Sequence, residues 1–382
     1  MRLFLLTFLF LYGGTHLYFF LKLMAALSLA PGATLCLSLF LLVMTLAPLL
    51  VHVLENEGLE TAARLFAYVG YTWMGVLFLF FSASLALDIC RLVALGAGLL
   101  SHRDVAVFAA TQRPAFLISC CCGIAAAAYG YFEARTIRTE RVVIVSPKIP
   151  QSVGKLTIVQ ISDVHLGLIV RQERLSRIIE QVKAAAPDVL VSTGDLVDGQ
   201  INRMAGLAEL LQEIKPRYGK FAVTGNHEFY AGLEQSLAFT ERAGFRMLRN
   251  ERVTVGEMIT IVGVDDPAGS QINRSRVVTE KSLLSQVPPD TFTLFLKHRP
   301  SIDRESLGLF DVQLSGHVHK GQIFPFNLVT QLFYPVKTGF SVYPRNSALY
   351  VSRGTGTWGP PIRFLAPPEV TVIELVSPPA ER

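Results

Sequence analysis

The sequence predicts an N-terminal all-α transmembrane bundle of four helices followed by a C-terminal α/β domain. Three observations carry this reading. Of the 382 residues, 51% are hydrophobic and only 17% charged, an odd balance for a water-soluble enzyme, and the apolar excess lies before about residue 135. Past Arg141, short β-rich runs alternate with helical stretches, the pattern of layered sheets and helices. Polar residues able to bind ions then gather at the ends of those runs. The chain is long enough for either half to bury its own core, and the expected division is a membrane anchor of about four helices over 1–137 and a second domain over 138–382.

Crossing a hydrocarbon core takes about 20 residues of apolar helix. Four segments qualify: Leu3 to about Met24, Ala33 to Leu54, about Leu65 to Leu87, and Pro114 to Ala134. Residues 1–24 imitate a secretory signal in that Arg2 precedes an apolar run. The run is too long for a signal core, no small-residue cleavage site ends it, and three more spans follow, so it is read as retained. An even number of spans leaves the N-terminus and everything past residue 135 on one side. Lys and Arg near span ends favour the cytoplasm. Arg2, Arg64, Arg135, Arg138 and Arg141 fall on the side shared by both ends, against Lys22, Arg91, Arg103 and Arg113 on the other. The expectation is a multi-pass protein of the cell membrane with its second domain on the cytoplasmic face. The 88–113 connection has room for an interfacial helix without altering the count. The net charge of +5 is spread over these loops and suits an anionic lipid surface; no nucleic acid is specifically indicated.

All five cysteines, Cys36, Cys90 and Cys120-Cys121-Cys122, lie in the membrane half, so the second half has neither a disulfide framework nor a cysteine nucleophile. Acylation or metal binding by the triple cysteine is weighed against helix packing beside Ala125–Ala128, and packing is the expectation. His16, His52 and His102 lie in or near spans. Polar groups in membranes can be functional, but His16 and His52 are read as close to helix ends. With no inverted repeat and no ladder of ion pairs, anchoring is the expected role of the spans.

The second half reads as strands at Val142–Val145, Leu156–Ile161, Asp188–Ser192, Phe221–Thr224, Thr260–Gly263, Thr291–Leu296, Val312–Leu314, Tyr350–Ser352 and Val370–Leu375. Helices are expected at Gln172–Ala185, where Leu175, Ile178, Ile179 and Val182 fall on one face, and at Ala205–Ile214. Five of these strands lead directly into possible ligands. They deliver Asp163-Val164-His165, Gly194-Asp195 with Asp198, Gly225-Asn226-His227-Glu228, Lys297-His298-Arg299 and Gly316-His317-Val318-His319. The carboxyl ends of strands are where open α/β sheets assemble sites. Each piece alone is weak: His298 by itself suits a structural histidine, and a glycine beside a polar residue commonly marks a turn. Their conjunction supplies oxygen and imidazole donors without thiolates, which suits manganese, iron or zinc better than calcium or a thiolate zinc site.

The ordered set Asp-x-His, Gly-Asp-x-x-Asp, Gly-Asn-His-Glu, a lone His after a strand, and Gly-His-x-His resembles the calcineurin-like metallophosphoesterase family over about residues 155–375. Gly263-Val264-Asp265-Asp266 and Gly354-Thr355-Gly356-Thr357-Trp358-Gly359-Pro360-Pro361 further resemble a bacterial, membrane-anchored branch of it. The resemblance implies a fold of two facing β-sheets flanked by helices and a centre of two divalent metal ions. It implies that Asp163, His165 and His319 hold one ion, that Asn226, His298 and His317 hold the other, and that Asp195 bridges them. Two ions roughly 3.5–4 Å apart can share a water, lower its pKa and clamp phosphoryl oxygens during in-line displacement. The implied activity is hydrolysis of phosphodiester, phosphomonoester or pyrophosphate bonds. His317 and His319, two apart on a strand, would by themselves suggest one shared metal; beside the other motifs the pair divides between two.

His227, next to Asn226, is expected to donate a hydrogen bond or proton to the phosphate or leaving oxygen without binding metal. Asp198 and Glu228 are expected to orient ligand imidazoles, with a solvated turn carboxylate as the alternative for Asp198. Arg299 is read as a surface arginine rather than a phosphate contact. The apolar stretch Ile323–Leu328 with Leu332-Phe333-Tyr334 is either a buried strand pair or a segment that dips into the membrane interface or holds an acyl chain. The expected partners are a lipid bilayer and a phosphorylated substrate, a lipid-linked one being a candidate. One branch of the family cleaves acylated UDP-sugars, and some of its members carry arginine where His227 stands. A catalytically silent receptor or scaffold, and a transporter with an appended regulatory domain, are the competing classes.

Overall fold

The computed structural model describes residues 2–101, 112–199, 204, 206–272 and 279–379. The chain divides into two compact units, one of Met1–Phe132 with Gly359–Phe364 and one of Glu133–Trp358 with Leu365–Arg382.

Among the described residues, four helices are long and apolar enough to cross a membrane: α1 (Arg2–Ala26), α2 (Pro31–Asn56), α3 (Glu60–Leu100) and α4 (Gln112–Glu133). Helix α3 runs well beyond the expected 65–87. No proline falls between Leu87 and Leu100, and the backbone continues as helix past the charged Asp88 and Arg91 and through Gly96 and Gly98. His102 and Arg103, with the rest of that connection up to residue 111, lie outside the described residues. Small residues let the helices approach closely. A Cβ on Gly70 would come within 2.7 Å of Ala47 Cβ, and one on Gly123 within 3.0 Å of the Phe80 backbone nitrogen. Phe19, Phe80 and Phe116 fill the space between them, with Phe19 and Phe80 ring centroids 4.9 Å apart. The expected place of His16 changes here. His16 sits in the middle of α1, buried, because Tyr12 and Trp73 satisfy it. The helices also carry an ion pair, Lys22 with Asp88 at 2.5 Å, shared with the Tyr18 hydroxyl. Cys121 and Cys122 are exposed on α4, so of the three only the half-buried Cys120 fits a packing role.

The second unit is the α/β domain, with two six-stranded mixed sheets. The first has the order β1 (Arg138–Val145), β12 (Glu369–Val376), β2 (Lys155–Ile161), β3 (Val189–Ser192), β4 (Lys220–Ala222), β5 (Arg246–Met247). The second runs β10 (Gly339–Tyr343), β11 (Ser347–Val351), β9 (Val312–Ser315), β8 (Phe292–Leu296), β7 (Ile259–Gly263), β6 (Glu251–Val255). β2 through β5 run parallel, as do β7 through β9 and β11.

Because strand side chains alternate between faces, each inner strand contributes to two cores. Ile158, Val191, Ile261, Leu294, Leu314 and Ile373 share one cluster drawn from both sheets, so it lies between them. Val159, Leu190, Ala222 and Val372 turn the other way, onto Leu175, Ile178 and Val182 of α5 (Gln172–Ala184) and Leu211 of α6 (Leu207–Gln212). Burying an apolar side chain of this size contributes about 1.5–3 kcal/mol, and these runs bury theirs on both faces. That is why they read as short, largely apolar stretches. β5, β6 and β10, and helices α7 (Asn226–Ala231) and α8 (Leu233–Arg242), are additional to the sequence expectation. The stretch 323–334 is not a strand pair: Phe326–Phe333 forms helix α11, after the short α9 (Ala268–Ile272) and α10 (Glu280–Leu284).

Candidate metal centre

Five parallel strands, β2, β3 and β4 of one sheet and β8 and β9 of the other, end at one place. The loops leaving them share a backbone feature. Asp163, His165, Asp195, His317 and His319 all have positive φ, between 48° and 71°. Such left-handed geometry on non-glycine residues costs about 1–3 kcal/mol each and persists where the surroundings fix it. Here the loops brace each other: the amides of Asp163 and His165 donate to the carbonyls of Gly194 and Asp195, both at 3.0 Å. Glycines occur where backbone must pass carboxylates. A Cβ on Gly225 would meet Asp195 Oδ1 at 2.1 Å, and one on Gly316 would meet Asp163 Oδ2 at 2.1 Å.

The side chains form two groups. In one, the donor atoms of Asp163, His165 and His319 lie within 4.8 Å of one another, with His165 Nε2 3.1 Å from His319 Nε2 and His319 Nε2 3.2 Å from Asp163 Oδ1. In the other, Asp195, His298 and His317 converge. His317 Nδ1 is 3.1 Å from His298 Nε2, which is 3.2 Å from Asp195 Oδ2. The same Asp195 oxygen lies 3.9 Å from His165 Nε2, so Asp195 faces both groups. Asn226 opens α7 beside them, and its buried Oδ1 has no hydrogen-bond partner.

Several partners fix which imidazole nitrogen faces inward. His298 Nδ1 lies 2.8 Å from the Thr193 carbonyl, and His317 Nε2 lies 3.0 Å from the Tyr334 hydroxyl. That leaves His298 Nε2 and His317 Nδ1 turned toward Asp195 and each other. Sequence reasoning gave no hint of Tyr334, which caps α11 far from any motif.

His227 belongs to a third group with His165 and Asp195. Its Nδ1 is 2.8 Å from Asp198 Oδ1, and its amide donates to Asp195 Oδ1 at 2.8 Å. Asp198 thus holds His227. Glu228 departs from expectation, for it orients no imidazole. Its carboxylate accepts the amides of Gly225 at 2.6 Å, Leu196 at 2.7 Å and Asp195 at 3.0 Å, tying two site loops together. Arg299 is not a free surface arginine either. It makes a paired contact to Asp266, Nε to Oδ2 at 2.7 Å and Nη2 to Oδ1 at 2.9 Å, because the buried Asp266 needs a countercharge. Trp358 and Tyr230 flank His227, their ring centroids 5.4 and 5.6 Å away.

Electrostatics shows what the site attracts. Burial by itself raises a carboxyl pKa, yet Asp163, Asp195 and Asp198 are all held below the usual carboxylate range by facing imidazoles. Those are His319 at Asp163, His298 and His227 at Asp195, and His227 at Asp198. Burial opposes charge at His298 and His227 too, but Asp195 outweighs it. His298 is pushed up to about 10 and, with Asp198 adding to Asp195, His227 to about 9. At His165 and His317 burial wins, helped by His227 and His298 respectively, and both are pushed down to about 3. Burial and the Asp195 charge lift Glu228 to about 7. The cluster therefore draws in positive charge and keeps neutral imidazole lone pairs beside it. Oxygen and nitrogen donors so arranged, with an unpartnered amide oxygen at Asn226, fit divalent cations.

Residues 156–321 match the family model for calcineurin-like phosphoesterases. An uncharacterized metallophosphoesterase of Aquifex aeolicus is 38% identical over 249 residues, covering 65% of this chain and 95% of that one. An uncharacterized metallophosphoesterase of Helicobacter pylori is 34% identical over 225 residues, 58% of this chain and 60% of that one. A Danio rerio protein described as a transmembrane protein with metallophosphoesterase domain is 32% identical over 239 residues, 60% of this chain and 55% of that one. The chain thus spans nearly the whole of the first and little more than half of the other two.

Proposed function

The chain belongs to the calcineurin-like phosphoesterase family, and on that premise we propose that it is a membrane-anchored phosphohydrolase of a bacterial, membrane-tethered branch of that family. Its reaction is hydrolysis of a phosphodiester, phosphomonoester or pyrophosphate bond. The observation that carries this reading is the pair of donor groups, Asp163–His165–His319 and Asp195–His298–His317, with Asp195 facing both. The first group would hold one divalent ion and His298, His317 and Asn226 the other, Asp195 lying between; manganese, iron and zinc suit the donors. When bound, such a pair lowers the pKa of water and withdraws charge from phosphoryl oxygens.

The chain's own residues supply the rest. His227, whose pKa is raised by Asp195 and by the Asp198 carboxylate that holds its Nδ1, can give a proton or hydrogen bond to the oxygen that leaves. Glu228 holds the Asp195 and Asn226 loops in register. Trp358 and Tyr230 present aromatic faces beside His227, where a group attached to phosphorus can rest. The four apolar helices tether the domain to a bilayer, and basic residues near their ends support a cytoplasmic position.

The test uses the purified full chain supplied with manganese and bis(4-nitrophenyl) phosphate. Nitrophenol release is expected, falling at least about a thousandfold in Asp195→Asn together with metal content. A chain that binds metal yet releases no product from this or a phosphomonoester probe would favour the silent scaffold.

A further inference from the structure

Helix α11 is amphipathic, and it packs inside out. A turn every 3.6 residues gathers Phe326, Leu328, Val329, Leu332 and Phe333 on one side and Asn327, Thr330 and Gln331 on the other. In an ordinary domain the apolar side would meet the core. Here the half-buried residues are Asn327 and Thr330, and none of the eight is buried. Asn327 lies against Gly321, where an added Cβ would come within 2.3 Å of its backbone nitrogen. Leu332 is 81% and Phe333 76% exposed. The edge strand β10 repeats the inversion, with Phe340 and Val342 outward and Ser341 and Tyr343 half-buried. Phe324, just before α11, is exposed as well.

Charge and connectivity identify what covers this surface. From Asp311 to Glu369 no acidic residue intervenes, while Lys320, Lys337 and Arg345 fall within the apolar stretch. An apolar helix face in a sequence stretch that holds cations and no acidic residue has the composition of an interfacial segment on anionic lipid. Helix α4 ends at Glu133 and β1 begins at Arg138. At about 3.5 Å per residue that connector reaches roughly 18 Å, so the domain stays beside any bilayer that its helices cross.

We propose that α11 and the outward face of β10 lie in the headgroup–acyl boundary of that bilayer, bringing the candidate metal centre to a phosphoester amphiphile whose tail remains in the membrane. Tyr334, the residue that caps α11, reaches His317 with its hydroxyl, so the docking helix adjoins the site. The substrate clause rests on the phosphohydrolase reading; the docking clause does not.

The test uses the full chain with its five native cysteines replaced by alanine. One cysteine is introduced as Leu332→Cys or, as a control on an exposed turn, Asp290→Cys, labelled with bimane and reconstituted in phosphatidylglycerol vesicles carrying acyl-chain spin labels. Quenching several-fold stronger at 332 than at 290 is expected. Equal quenching at the two positions overturns docking, as does shielding at 332 that follows the protein-to-lipid ratio and not the spin label, since a second copy would then cover the face. The activity arm compares soluble bis(4-nitrophenyl) phosphate with vesicle-embedded hexadecyl 4-nitrophenyl phosphate. Leu332→Asp with Phe333→Asp should leave turnover of the first unchanged and lower that of the second tenfold or more. Equal effects on both overturn the substrate clause, and no turnover of either by the unaltered chain defeats that clause together with the phosphohydrolase reading.

Discussion

His16 in the helical unit and His165, His298 and His319 of the metal centre are alike in burial and opposite in what their nitrogens face. His16 Nδ1 lies 2.9 Å from the Tyr12 carbonyl, and its Nε2 accepts the Trp73 indole N–H at 2.9 Å. Each nitrogen has a fixed complementary partner, so the ring is complete as it stands. In the α/β unit, His165 Nε2 faces His319 Nε2 and His317 Nδ1 faces His298 Nε2, both at 3.1 Å, with Asp163 and Asp195 alongside. Imidazole nitrogens pointed at one another beside depressed carboxylates form an arrangement that a cation completes. Partnering, more than burial, separates a structural histidine from a ligand.

The strongest way to break that comparison is to remove the facing nitrogens one at a time. His319→Ala and His317→Ala take a donor from different groups, so each should lower the bound metal from two equivalents toward one, with activity falling by about a thousandfold. Elemental analysis of the two variants after identical dialysis checks this. Loss of both ions in one variant and neither in the other would show that the pair serves a single site.

His227 offers a smaller effect and a sharper one. Its ring nitrogen is tied to Asp198, and the charge of Asp195 and Asp198 keeps its proton up to about pH 9. His227→Ala should retain metal and lose about a hundredfold or more in rate. If the ring acts as a proton donor, the rate is lost as pH rises through its pKa, because deprotonation removes the acid; cations held at Asp195 would bring that pKa down from about 9. Asp198→Asn takes away a stabilising anion, so its basic limb should move to lower pH. A pH–rate profile for which the variant limb is unmoved would remove His227 from that role.

Much of this was legible in the chain because β-strands are short and their ends are marked. The runs ending at Ile161, Ser192, Leu296 and Leu314 are rich in apolar residues, and the polar motif begins where each run stops. The positive φ of Asp163, His165 and Asp195 was not legible, since nothing in residue type alone dictates it. Tyr334 and the Glu228 amide contacts escaped for a different reason. The Glu228 contacts to Asp195 and Leu196 join the loops after β4 and β3, which only the sheet order brings together, and Tyr334 returns to His317 only through the fold of the segment between β9 and β10. For 323–334, composition marked an apolar segment without deciding its period. Asn327, Thr330 and Gln331 fall at helical spacing, but a core-facing helix would have turned its apolar side inward, so sequence alone could not assign the packed face.

The smallest expected effect tests the other side of the comparison. His16→Phe keeps an aromatic ring beside Tyr12 and Trp73, the rings that His16 already meets. It leaves the Trp73 N–H without its acceptor, and an unmade buried hydrogen bond costs about 1–3 kcal/mol. Metal content and turnover should be unchanged, while the unfolding temperature of the full chain in detergent falls by a few degrees, read by thermal denaturation beside the activity assay. The Tyr12 carbonyl still accepts within its own helix, so the loss should stay near the lower end. If His16→Phe instead lowered metal content or turnover while stability held, a histidine with both nitrogens satisfied would be functional after all, and partnering would no longer distinguish the two regions.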